Sequence, residues 1–161
     1  MDNNDSLIIR EAKIDDIPAI QSLYRQGDKY HAELLPDVFQ ETEEGRTKDF
    51  ILSWIQNEKS DYFVAEMEGK IIGFMNIKQT TSQDIPILKR MEYALIDDFV
   101  VDVNHRFQGI GTALFKRAKL WSKEHELNKI QLTVWAKNEA ARNFYFMLGF
   151  KDLIGKMEID L

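Results

Sequence analysis

Seven residues, Arg106-Phe107-Gln108-Gly109-Ile110-Gly111-Thr112, join an extended apolar run, ALIDDFVVDV, to an amphipathic helical pattern. Glycines at 109 and 111 allow close approach of the backbone to a ligand and conformations closed to other residues. Free N–H groups at the start of the following helix, together with its dipole, favour an anion such as a pyrophosphate. Arg106 adds a cation beside them. A lone Gly-x-Gly serves a sharp connection as readily as a phosphate cradle, and by itself leaves both open. Two nucleotide readings are excluded. A P-loop needs Gly-Lys-Ser/Thr, and here Gly111 is followed by Thr112 and Ala113. A dinucleotide fingerprint needs Gly or Ala three residues after its second glycine and an acidic residue closing the next strand. Leu114 and the run VWAKN stand in those places.

The turn has to be held by the elements around it. LIIREA (7–12) reads as a strand, and Asp15 or Asp16 then caps a helix with Pro18 in its first turn and Ile17, Ile20, Leu23 and Tyr24 on its buried side. Residues 26–45 are irregular. Phe50, Ile51, Trp54 and Ile55 mark one face of a second helix. Residues 61–79 form two β-rich runs about a short turn at Glu68-Gly69, the clearest hairpin in the chain. A polar loop, 80–89, leads to a long strand over 91–103. After the glycines, Ile110, Leu114, Ala118 and Trp121 make one helical stripe. A strand over 129–136 is followed by a short helix from Asn138 to Gly149, and FKDLIGKMEIDL closes the chain as a strand. This order implies an α/β (α+β) fold with a mixed sheet, antiparallel in its first half and with crossover helices in its second.

At 161 residues the chain is expected to form one domain, 1–161, and its 44% hydrophobic content supports a real core. A net charge of −6 argues against a general affinity for nucleic acid or anionic membrane. With no cysteine, thiolate metal sites and a cysteine nucleophile are excluded. The acidic, polar N-terminus lacks a signal-sequence pattern, so a cytoplasmic location is expected. His31, Glu33 and Asp37 have no ligand-pair spacing, and no metal is expected.

Arg-x-x-Gly-x-Gly between a long apolar strand and an amphipathic helix resembles the acetyl-CoA motif of the GNAT acetyltransferases. The likeness extends to Asn138 at the end of the later strand, Tyr145 seven residues on, and the closing Leu148-Gly149-Phe150. It covers nearly the whole chain. What it implies is a mostly antiparallel sheet of six to seven strands flanked by about four helices, splayed between strands 91–103 and 129–136. Acetyl-CoA would lie in that gap. The turn (Arg106, Phe107, Gln108, Gly109, Ile110, Gly111, Thr112) would hold its pyrophosphate, and Phe99, Val100 and Val101 would pair with the pantetheine arm. Asn138 would bond to that arm and Tyr145 would approach the sulfur. The resemblance also brings a homodimer into consideration.

Acetylation of an amine is attack by neutral nitrogen on a thioester carbonyl, so a proton acceptor, an oxyanion donor and a donor to the leaving thiolate are needed. Tyr145 is the expected donor in the context of the motif; helical spacing alone favours a core place for it beside Ala141 and Leu148. Asp97 and Asp98 interrupt the strand beside the expected thioester and are the candidate bases. Alternation places one of them in the cleft, with Asp97 preferred, unless a bulge alters the parity. Tyr30, His31 and Glu33 fall where this family builds its acceptor pocket. The expected activity is direct transfer of acetyl from acetyl-CoA to a primary amine: a polyamine, an aminoglycoside or a protein amino group. A longer acyl group, or a CoA-binding regulatory domain without turnover, are the alternatives.

Overall fold

A computed structural model describes residues 7–161. Five strands among them form one sheet in the order β1-β2-β3-β4-β5. β1 (Ile8–Glu11) pairs antiparallel with β2 (Ser60–Met67), β2 with β3 (Lys70–Thr81), and β3 with β4 (Glu92–Val101). β5 (Ile130–Leu132) runs parallel to β4. Four helices flank the sheet: α1 (Ile17–Leu34), α2 (Lys48–Ile55), α3 (Ile110–Glu124) and α4 (Glu139–Met147). The mixed, mostly antiparallel α/β class is as expected, with five strands in place of six to seven.

The sheet separates two cores. On one face, Ile110, Leu114, Ala118 and Trp121 of α3 pack over Phe63, Met75, Ile77, Ala94 and Ile96. On the other, Ile17, Ile20, Leu23 and Tyr24 of α1 and Ile51 of α2 pack over Tyr62, Val64 and Phe74. α1 and α3 bury the stripes that their 3.6-residue period predicts, whereas on α2 only Ile51 is fully buried and Phe50, expected on the same face, is exposed. The β2–β3 hairpin turns at Glu68 (φ 50°) and Gly69 (φ 75°), the pair of positive dihedrals that matches the strand twist.

Three local expectations are corrected. The segment from 26 is not irregular: α1 runs on to Leu34, because nothing breaks it before Pro36. Asp16 precedes α1 but does not cap it with its side chain. Its carboxylate accepts instead from the Lys13 amide (2.7 Å) and from both terminal nitrogens of Arg10 (2.7 and 2.9 Å). The last segment, expected as a strand, has neither helix nor strand from Phe150 to Leu161, and every residue from Lys151 on is exposed. Its alternating pattern suits a strand, but no edge of the sheet lies against it to supply backbone partners.

Candidate active site

β4 carries the geometry of the site. It pairs with β5 only at Ala94, Leu95 and Ile96. From Asp97 to Val101 its edge towards β5 is unpaired, so the two strands part there. On its other side the ladder with β3 slips: Met75 faces Phe99 and Ile77 faces Ile96, which sets Asp97 and Asp98 together against Asn76. That bulge reverses the alternation. Ala94 and Ile96 point to the α3 core, and so do Phe99 and Val101, whereas Val100 points to the α1 core. Strict alternation would have sent Asp98 in with Ala94 and Ile96.

Asp98 instead meets α1. Its carboxylate accepts from the Tyr24 hydroxyl (2.7 Å) and from Asn76 Nδ2 (3.1 Å), while its amide donates to Asn76 Oδ1. Tyr24 and Tyr62 hydroxyls are 2.7 Å apart. Tyr24 has one proton and gives it to Asp98, so Tyr62 donates to Tyr24 and accepts from Asn76 at 3.1 Å. Arg46 stands over the Tyr24 ring, 4.6 Å from its centroid, with a guanidinium nitrogen 3.7 Å from Asp98. It also bonds Asp28 at 3.0 Å. Burial, with the Asp98 charge second, holds the Tyr24 hydroxyl far above its ordinary range, and burial pushes Tyr62 up to about 12. Both therefore remain neutral donors. Asp97, the residue preferred from the sequence, is exposed.

The glycine turn lies at the end of the same strand. Gly109, at φ 81°, precedes the first turn of α3. Gly111 has a different reason to be small: a Cβ there would stand 2.8 Å from Phe144 Cζ of α4. The Phe144 ring thus lies against the start of α3. Phe107 is fully exposed and sits at φ 62°, a conformation that costs an L-residue about 1–2 kcal/mol. Arg106 folds back, its Nε donating to the Val101 carbonyl (3.3 Å) and its guanidinium facing the Tyr30 ring at 5.5 Å. Gln108 bonds the Asn104 carbonyl at 3.4 Å, Ile110 is buried in the α3 core, and Thr112 is exposed in the first turn.

Tyr145 stands between the rings of Phe99 (6.4 Å) and Phe150 (5.7 Å), on the α3 side of the gap. Burial pushes its hydroxyl up to about 12, so it is protonated at neutral pH. Asn138 is buried, and its Oδ1 caps α4 by accepting from the Ala141 amide (3.2 Å) and meets the Tyr30 hydroxyl at 3.4 Å. His31 stacks on Phe39 (5.3 Å), which packs edge-on against Trp135 (5.5 Å). Tyr30 and His31 thus join the site; Glu33 is exposed on α1.

The structure adds Tyr24, Arg46, Tyr62, Asn76 and Trp135 to the expected residues. Two carried a signal in the sequence. Asn76 interrupts the apolar strand IIGFMNI, and Tyr24 puts a hydroxyl on the apolar face of a helix; a buried polar group needs a partner.

Residues 27–150 match the family described as Acetyltransferase (GNAT) family. The chain belongs to that family, and so to the acyltransferases. An uncharacterized N-acetyltransferase of Methanocaldococcus jannaschii is 30% identical over 149 residues, 89% of this chain and 60% of that protein. Streptothricin acetyltransferase A of Bacillus subtilis is 30% identical over 108 residues, 65% of this chain and 57% of its own. The chain therefore spans about 60% of the length of these two relatives. In structure, a tetramutant of the BH1408 protein of Bacillus halodurans superposes with a TM-score of 0.90 at 29% identity, covering 96% of this chain and 99% of the other.

Proposed function

We propose that this chain, acting as one cytoplasmic domain, moves an acetyl group from acetyl-CoA to a primary amine by direct attack. The observation that carries the reading is the parting of β4 from β5 after Ile96, beside the N-terminus of α3. An extended chain could pair with the freed edge of Phe99, Val100 and Val101, with its phosphates at the amides of residues 107–112. The residues fit such a ligand: Gly109 turns the backbone through a positive φ so that α3 begins at the gap.

In this reading the amine nitrogen bonds the thioester carbonyl carbon, and the carbon–sulfur bond breaks. Tyr145, kept neutral by burial, gives its proton to the sulfur. Asp98, on the α1 side of the bulge, lies where the amine would approach and takes up its proton directly or through water. Tyr24 and Asn76 fix that carboxylate. Asn138 and Tyr30 close one end of the gap. The acceptor wall is aromatic, formed by Tyr30, His31, Phe39 and Trp135. The name of the Bacillus subtilis relative supports a small-molecule amine.

Since the chain has no cysteine, a thiol reagent reads released CoA without protein background. Polyamines, aminoglycosides, amino acids and peptides form the acceptor panel. Turnover with one of them is expected. Acetyl-CoA binding without turnover would leave a regulatory domain, and no binding would remove the reading altogether.

A further inference from the structure

Arg46 brings a permanent positive charge to the place where an amine is to bind, and the transfer steps make no use of it. Its Nη1 bonds both carboxylate oxygens of Asp28, at 3.0 and 3.1 Å, and its Nη2 stands 3.7 Å from Asp98 Oδ1. The side chain is not needed to tie down its own segment. Gln21 Nε2 already holds the Arg46 carbonyl at 2.9 Å, and the Thr47 side chain caps α2 by accepting from the Phe50 amide at 3.1 Å. Nor is the cluster sealed in the core: the side chains of Arg46, Asp28 and Asp98 are 37%, 28% and 22% exposed.

Asp98 uses its two oxygens differently. Oδ2 accepts from both Tyr24 and Asn76, whereas Oδ1 accepts from none of the described residues, the 3.7 Å to Arg46 being too long for a hydrogen bond. Oδ1 is therefore the oxygen open to an amine. Asp28 lies one turn beyond Tyr24 on the same stripe of α1, about 6 Å along the axis, and His31 with the aromatic wall follows a turn later. One guanidinium spans the distance between the two carboxylates, and so does a short diamine such as 1,4-diaminobutane. The Asp28 carboxylate, however, is already filled by Arg46. Two carboxylates and one guanidinium leave a single unmatched negative charge, at Asp98.

We propose that the acceptor is a primary amine with one positive charge and an apolar body, and that Arg46 enforces this by occupying at Asp28 the place of a second ammonium. The proposal rests on the acetyl-transfer reading only in taking Asp98 as the place of the reacting amine. A monoamine finds one free carboxylate oxygen and then the rings of His31 and Phe39. A dication meets the same oxygen and then a like charge, with no carboxylate left to match it.

The test compares n-pentylamine with 1,4-diaminobutane, which has an ammonium where pentylamine has its terminal methyl. Binding to the full chain is followed through backbone amide resonances without acetyl-CoA, and acetyl transfer to each amine is followed as released CoA. The parent is expected to favour pentylamine by about tenfold or more. Arg46→Met is expected to move that ratio about tenfold or more towards the diamine, and Arg46→Gln serves the same purpose if the Met variant folds poorly. Arg46→Lys, which keeps the charge, is expected to stay near the parent ratio. Asp28→Asn added to Arg46→Met is expected to cancel the gain. A ratio that switches in binding, in a chain without turnover, would uphold this proposal and remove acetyl transfer; turnover with an unmoved ratio would do the reverse. A parent that binds neither amine, or binds the diamine as well as pentylamine, overturns the proposal, as does a gain that survives Asp28→Asn.

Discussion

Asn76 and Asp98 hold each other from both ends: the Asp98 amide donates to Asn76 Oδ1, and Asn76 Nδ2 donates back to the Asp98 carboxylate at 3.1 Å. The bulge frees that amide from the ladder, and Asn76, wholly buried, replaces the lost partner. Asn76→Ala leaves the amide and the Tyr62 hydroxyl short of partners inside the protein. A loss of about 2–4 kcal/mol is expected by urea titration, given about 1–3 kcal/mol per buried orphan group. Asn76→Leu, which restores the volume and not the bonds, is expected to recover little. A variant as stable as the parent would show that the bulge does not depend on this pair.

Tyr145→Phe keeps the ring between Phe99 and Phe150 and removes only the hydroxyl. Turnover is expected to fall at least tenfold with acetyl-CoA affinity near normal. The hydroxyl is pushed up to about 12, so it is protonated throughout the physiological range and lost only well above it. The parent's rate should therefore show no fall attributable to Tyr145 between about pH 6 and 9. Unchanged turnover in the variant would remove Tyr145 from the mechanism.

Phe107→Gly tests strain at the turn. The ring is fully exposed and contributes no burial, while φ 62° disfavours any residue with a Cβ. The variant is expected to be as stable as the parent or more stable by up to about 1 kcal/mol, net of the extra entropy of glycine in the unfolded chain. Thermal unfolding decides it; a loss above that size would mean that the ring has an unrecognised partner.

Arg10, Asp16 and Glu66 link the start of α1 to β1 and β2, with Arg10 Nε 2.7 Å from Glu66. The hydrogen bond from Arg10 is the largest cause that holds the Asp16 carboxyl below the usual carboxylate range. A folded pKa below the unfolded one adds stability that is complete well above the unfolded value of about 3.9 and is lost as pH falls through the folded value. Asp16→Asn is therefore expected to cost about 2 kcal/mol at pH 7 and progressively less below about pH 5. Equal destabilisation at pH 7 and pH 3 would assign the loss to packing.

Periodicity made most of the architecture legible. The stripe Ile110, Leu114, Ala118, Trp121, the hairpin at Glu68-Gly69 and the cap at Asn138 all lie where spacing and turn chemistry placed them. What it could not resolve was parity in β4. A period of two carries no information across an inserted residue, so the sequence preferred Asp97 where the ladder slip turns Asp98 towards Tyr24. Arg46 was equally hidden, since a charged residue in a loop gives no sign of the distant ring and carboxylates it will reach. The final segment has a strand's pattern, but pairing depends on an edge that a local window does not contain.

Gly111→Ala is expected to cost about 1–3 kcal/mol, because the new methyl would meet the Phe144 ring at 2.8 Å in a packed layer. Phe144→Leu in the same chain should return part of that loss, and strictly additive losses would count against the contact.

That contact also works as a caliper. Phe144 adjoins Tyr145 in the chain, and Gly111 lies in the glycine turn, so one ring against one hydrogen atom fixes the separation between the turn and the phenol. On the proposed reading, a cosubstrate gripped at both ends is thereby measured for length. A methyl at 111 would push the jaws apart, and chemistry at the sulfur would suffer before phosphate binding did.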